Sequence, residues 1–207
     1  MIQRFLIVLM IVAAVSLAAI PLDVRAQTKP DDAAAFVGVL GSETIKVLQS
    51  QSATLDQREA EVRRLLRENF ALDQIGRYVL GRAWKTATDD QKREYLELFS
   101  EYVLSTYAKR LGGYTGETFS IIRSETVGTK DAVVMTQIDR PSGPPLVAGW
   151  RVRNVGERMV ILDVIVEGIS MVTAQRSEFA SVVQSQGIEG LLQTLRLQIS
   201  KFAAQSS

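Results

Sequence analysis

At Gly112-Gly113 the chain changes its hydrophobic period, and that switch limits the folds open to it. Upstream, apolar residues recur every three or four positions, the mark of helices with one buried face. Phe36, Leu40, Thr44 and Val47 keep this spacing between Ala33 and Ser50; Leu55, Val62, Leu65, Leu66 and Phe70 repeat it between Thr54 and Phe70. Leu72 to Leu80 reads as a third, short helix stopped by Gly81. Thr88-Asp89-Asp90-Gln91 has the form of a capping box and opens the longest helix, which runs to about Leu111. Its side chains Tyr95, Leu96, Leu98, Phe99, Tyr102, Val103, Leu104 and Tyr107 spread well beyond the usual apolar stripe. Such a helix either is buried on most sides or borders a cavity.

Downstream, Thr118 to Thr126, Ala132 to Asp139, Val147 to Val155 and Met159 to Glu167 are short runs rich in Val, Ile and Thr. Gly128-Thr129-Lys130-Asp131 and Asn154-Val155-Gly156-Glu157 are hairpin turns. The stiffer link Arg140-Pro141-Ser142-Gly143-Pro144-Pro145 cannot join a ladder. These features predict a four-stranded antiparallel meander. Its last strand is apolar toward both faces, with Val160, Leu162, Val164 and Val166 on one side and Met159, Ile161 and Ile165 on the other, so both faces are expected to be covered. Two helices close the chain, over about Ser170 to Gln186 and Ile188 to Phe202. Helices, then a meander, then helices make the fold class α+β.

The N-terminus carries an export pattern. Arg4 precedes an apolar run from Phe5 to Ile20, Pro21 breaks it, and Val24-Arg25-Ala26 offers small residues where a signal peptidase reads. Cleavage after Ala26 leaves residues 27–207 as one expected domain, exported to the periplasm. No cysteine follows the run to accept a lipid anchor. The whole chain has 24 Lys plus Arg and 23 Asp plus Glu; removing Arg4, Arg25 and Asp23 leaves a balanced 22 of each. That balance argues against nucleic acid as a partner, since phosphate neutralisation needs a basic excess.

With no cysteine and no histidine, thiolate nucleophiles, thiolate zinc sites, the commonest metal ligand and the commonest general base are all absent. No phosphate-cradling glycine loop is present. Gly168-Ile169-Ser170-Met171-Val172 lacks the closing glycine of a nucleophile elbow, so Ser170 reads as the cap of the helix after it. Asp163 and Glu167 lie on one side of an apolar strand, yet four residues along a strand separate them by about 13 Å, too far to act as a pair. A buried Asp163 bonded to backbone amides, or to Arg176 or Arg153, is the favoured reading. No catalytic residue, metal site or cofactor is expected, and the chain is not read as an enzyme. The aromatic residues Tyr78, Trp84, Tyr95, Phe99, Tyr102, Tyr107 and Trp150 fit either a packed core or a cavity wall; periodicity does not separate the two.

Three stretches then carry a resemblance. Ile75-Gly76-Arg77-Tyr78-Val79-Leu80-Gly81-Arg82-Ala83-Trp84-Lys85, continued by Ala87-Thr88 and Gln91-Lys92-Arg93, is the first. Tyr107-Ala108 leading to Tyr114-Thr115-Gly116-Glu117 is the second, and Asp163 to Val172 continued through Gln175-Arg176-Ser177-Glu178-Phe179 is the third. They resemble the MlaC-type periplasmic phospholipid-binding proteins, also called the toluene-tolerance family, over about residues 36 to 198. Ala83 departs from the pattern, since many relatives carry an aromatic residue there. The resemblance implies a nuclear-transport-factor-like fold, with a curved sheet and helices around an apolar pocket that holds phospholipid tails and leaves the head group outside. It also implies exchange of cargo with an outer-membrane lipoprotein complex and with an inner-membrane ABC transporter complex bearing a lipid-binding subunit, in a pathway that maintains lipid asymmetry. The Arg-Ser-Glu-Phe element at 176–179 is shared with hopanoid-associated relatives, which leaves a hopanoid or other hydrophobic cargo open; a non-catalytic envelope adaptor is the remaining alternative.

Each acyl methylene left in water costs about 0.8 kcal/mol, so a lipid carrier needs a cavity nearly as apolar as a membrane. Tyr78, Val79, Phe99, Tyr102 and Val103 are the expected first wall for the tails, and Trp150, Val152, Ile165, Ile169 and Val172 the second. Aspartate at Val152 is expected to empty the pocket without unfolding the protein.

Overall fold

Among the described residues five helices and one antiparallel sheet build the fold, and the boundaries follow local sequence signals closely. The structure, a computed structural model, describes residues 27–112, 114 and 116–204. The expected signal segment 1–26 lies outside the described residues, as does Gly113 of the glycine pair. Helix α1 spans Pro30–Leu48, α2 Leu55–Asn69, α3 Leu72–Leu80 and α4 Asp89–Gly112, with a 3-10 turn at Gly81–Lys85. Pro30 at its first position suits the start of α1, where its missing N–H is no loss. The capping box before α4 forms as expected: Thr88 N–H donates to Gln91 Oε1 at 2.9 Å and Gln91 N–H to Thr88 Oγ1 at 3.2 Å. Thr54 and Gln57 make the same reciprocal pair before α2. Gly81 ends α3 with φ 61°.

Strands β1 Thr118–Val127, β2 Asp131–Asp139, β3 Leu146–Val155 and β4 Arg158–Val166 form the expected meander. A two-residue β5, Ile169–Ser170, extends the order to β1-β2-β3-β4-β5 and makes five strands where four were expected. A bulge at the β3–β4 pairing lets Arg151 face Asp163 while Val152 faces Ile161. From Met159 to Val166 no residue of β4 is exposed, which agrees with a strand covered on both faces. At the other edge of β4, Ala71 N–H donates to Ile161 C=O at 3.0 Å, and this bridge fastens the α2–α3 link to the sheet.

Helix α5, Met171–Ala204, joins the two helices expected at the C-terminus; between them Gly187 has φ 70° and ψ −178°, a conformation open essentially to glycine alone. Ser170 caps α5 as expected, its Oγ accepting from Thr173 N–H at 3.0 Å.

Apolar packing gathers in three places. Helices α3, α4 and α5 enclose Ile75, Val79, Leu80, Tyr95, Phe99, Phe179, Leu191, Leu192 and Leu195. Helix α1 lays Ala33 and Val37 on Ala132, Val134 and Val152 of the sheet. Leu48, Val62 and Ala108 join the far end of α1 to α2 and α4. Helix α4 is therefore buried on most sides, the first of the two alternatives its sequence allowed. Tyr95 shows how fully: it is 0% exposed, its hydroxyl donates to Gly76 C=O at 3.0 Å, and burial pushes its phenol well above the ordinary tyrosine range.

Candidate functional site

Between the second and third of these clusters the interior is not filled. A cavity of about 310 Å³ opens there, within the size range of small-molecule sites. Helix α1 supplies one wall through Val37, Leu40, Gly41, Thr44, Ile45 and Leu48, positions that repeat on one helical face. Helix α2 adds Val62, Leu65 and Leu66, with Phe70 just beyond its end. Phe119, Ile138 and Leu146 lie abreast on β1, β2 and β3 and form the floor together with Trp150. Trp150 is held by its indole N–H, which donates to Thr136 Oγ1 at 2.9 Å, while the buried Thr136 hydroxyl donates to Ala148 C=O at 3.0 Å. The indole's one polar group is thereby satisfied by the sheet, and the ring is left as apolar wall.

Polar lining is confined to Thr44 and to one end, where Arg110, Tyr114, Glu117, Thr118 and Arg140 meet. Tyr114 ties this end together: Gln49 Nε2 donates to its hydroxyl at 2.9 Å, and that hydroxyl donates to Glu117 C=O at 3.0 Å. The exposed lining residues, Arg110, Leu111, Thr118 and Arg140, all belong to the same end. The cavity therefore has a floor of aromatic and aliphatic side chains and a mouth rimmed by cations. Such a space suits a hydrocarbon chain, for which contacts are dispersive and undirected.

Of the ten residues expected to line the pocket, Trp150 does so. Val79 and Phe99 are instead in the filled cluster between α3, α4 and α5, with Tyr102, Val103 and Val172 packed against it. Burial raises the pKa of Tyr102, and the nearby Glu178 adds to that. Val152 is 0% exposed beneath α1, so an aspartate there would be buried without a partner and would threaten the fold itself, contrary to expectation. Ile165 is half-buried on β4 and Ile169 is 59% exposed. Tyr78 and Val172 line a separate, more polar cleft of about 270 Å³ with Arg151, Arg153, Asp163 and Ser170. The reason is physical: periodicity reports which face of an element is buried, not whether the opposing side chains fill the space.

Asp163 is bonded as expected to a backbone amide, Val172 N–H at 3.1 Å, and also accepts from Ser170 Oγ at 2.6 Å. The suggested arginines are engaged elsewhere. Arg153 pairs with the buried Asp131, and Arg176 lies over the Tyr78 ring at 4.6 Å. Phe179 belongs to the helical core, so the Arg-Ser-Glu-Phe element serves packing and does not touch the apolar cavity. Ala83 likewise packs against the helical core, away from that cavity. The α1 and α2 lining residues were not anticipated. One signal was present: Gly41 and Thr44 sit in the middle of an apolar stripe where a core helix would carry bulk.

Comparisons with known proteins give the family and the fold. The family model for MlaC protein matches residues 40–197. The intermembrane phospholipid transport system binding protein MlaC of Haemophilus influenzae is 21% identical over 162 residues, which cover 74% of this chain and 76% of that protein. A phospholipid-binding protein from Ralstonia solanacearum, solved in complex with a phospholipid, shares the fold with a TM-score of 0.72 at 20% identity, over 83% of this chain and 98% of that one. The family match alone spans well over half of the 207 residues, and the chain belongs to the MlaC protein family.

Proposed function

We propose that this protein is a phospholipid carrier of the cell envelope, taking an acyl chain into the cavity between α1, α2 and the sheet. The observation that carries the proposal is the cavity wall, apolar at every lining position except Thr44 and the residues of one rim. The relatives support the cargo: one is named for phospholipid transport and another was solved with a phospholipid. At roughly 30 Å³ per water-sized unit, the 310 Å³ of the cavity admits about ten methylenes. That is room for much of one acyl chain.

The wider role follows from the same reading. Residues 27–207 are released into the periplasm by cleavage after Ala26, and the domain moves lipid between the outer and inner membranes without chemistry. Its partners are an outer-membrane lipoprotein complex and an inner-membrane ABC transporter complex with a lipid-binding subunit. Organic extraction of natively purified protein, followed by mass spectrometry, tests the cargo. Intact phospholipid is the expected extract. Protein that is lipid-free and also takes no labelled phospholipid from vesicles refutes the carrier reading; labelled lipid returned as hydrolysis products refutes its lack of chemistry.

A further inference from the structure

We infer that Arg110 and Arg140 form a phosphate-recognising pair at the cavity mouth, so that the carrier selects lipids with a phosphate head group over neutral lipids with the same chains. The inference rests on the carrier reading and adds to it the chemistry of the head group. Both arginines line the same cavity and both are exposed. They come from different elements, the last turn of α4 and the β2–β3 link, brought to one place by the fold. Thr118 pairs with Asp139, the residue before Arg140, and Gly116 lies against Pro141, the residue after it. Tyr114 N–H donates to Leu111 C=O at 3.1 Å, which folds the α4–β1 link, the segment leading to Gly116 and Thr118, back onto the end of α4 beside Arg110.

Neither guanidinium forms an ion pair among the described residues. Arg140 donates Nε and Nη2 to Pro144 C=O at 2.9 and 2.5 Å, which fixes its direction and leaves the Nη1 donors for a ligand. Arg110 lies over the Tyr107 ring at 5.6 Å, a contact that holds the side chain without neutralising it. Glu117, the carboxylate among the lining residues, accepts from Gly116 N–H within its own loop, and Asp139, next to Arg140, accepts from Gln137 Nε2 at 2.7 Å. A chain buried against Phe119 and Trp150 must leave its polar end at this rim. Two guanidiniums suit the fork geometry of a phosphate, whereas a neutral glyceride offers them only ester and hydroxyl oxygens.

Vesicles containing phosphatidylglycerol and diacylglycerol with identical chains, in equal amounts, test the inference with the mature protein, the ratio of the two lipids on the recovered protein being the readout. The wild type is expected to enrich phosphatidylglycerol roughly tenfold, as two rim charge pairs allow, and to lose part of that enrichment at about 0.5 M salt. The R110Q/R140Q variant is expected to fall to the vesicle ratio, and R82Q, an exposed cation away from the mouth, to keep the wild-type ratio. Wild-type enrichment in R110Q/R140Q, or an equal loss in R82Q, overturns the inference. Inorganic phosphate that raises the Tm of lipid-free protein as much as the phospholipid does, in an arginine-dependent way, assigns the pair to free phosphate and overturns it too. A wild type that takes up neither lipid refutes the carrier reading itself.

Discussion

Leucine in place of Gly41 should close much of the cavity while leaving the fold intact. Gly41 faces the cavity from the middle of α1, and a Cβ built there falls 2.7 to 3.0 Å from atoms of the Phe119 ring. Carbon atoms settle at about 3.5–4.0 Å, so the ring must swing by roughly 1 Å; it is itself a lining residue, at the free end of a side chain that can turn. The added isobutyl group displaces on the order of 100 Å³, counted at about 30 Å³ per water-sized unit, from the 310 Å³ available. That removes room for three or four methylenes at about 0.8 kcal/mol each, near 3 kcal/mol of retention, or roughly a hundredfold in affinity. Stability moves far less. Overpacking costs about 1–3 kcal/mol, while replacing a mid-helix glycine returns up to about 1 kcal/mol. The assay is lipid per protein by mass spectrometry beside a thermal melt. A folded Gly41→Leu protein with the wild-type amount and chain length of lipid would refute the placement of the acyl chain in this cavity.

Three further outcomes follow from the structure. Asp131 is 1% exposed and held by Arg151 and Arg153; burial alone raises its pKa, but the hydrogen bonds from the two arginines outweigh this and keep the carboxyl below its ordinary value. Its contribution to stability is therefore present above about pH 4 and lost as pH falls through the lower folded value. Asp131→Ala should cost about 2–3 kcal/mol at neutral pH, less than a fully buried pair because both arginines reach solvent, and should flatten acid unfolding below pH 4 as followed by circular dichroism. Gly187→Ala has open space around it but meets backbone strain at φ 70°, so the urea midpoint should fall by an amount equivalent to about 1–3 kcal/mol with an unchanged slope. Ser170→Ala should cost about 1 kcal/mol through the lost cap and leave lipid content as in the wild type, whereas a lost hydrolytic activity would restore Ser170 as a nucleophile.

Much of the fold was legible because its signals are local. The Thr88 capping box, the Gly81 stop, the two glycine turns of the meander and the break between Gln186 and Ile188 each depend on a few neighbouring residues. Asp131 shows where that ends: its turn was readable, but its burial under two arginines from β3 was not, because pairing across strands sets it. The short β5 escaped notice for a similar reason, since two residues carry no period and only the edge of β4 gives them a partner.

The sequence by itself determined the order of elements, the α+β class, the absence of histidine and cysteine chemistry, and the resemblance to a lipid-binding family. Only the tertiary structure decided where the hollow lies. A lining residue and a core residue have the same composition and the same period; they differ in whether a neighbour from a distant element reaches them. Phe99 meets Tyr95 and Phe179 and is filled in, while Leu40, Ile45 and Leu65 face a gap left between the places where α1 packs on the sheet and on α2.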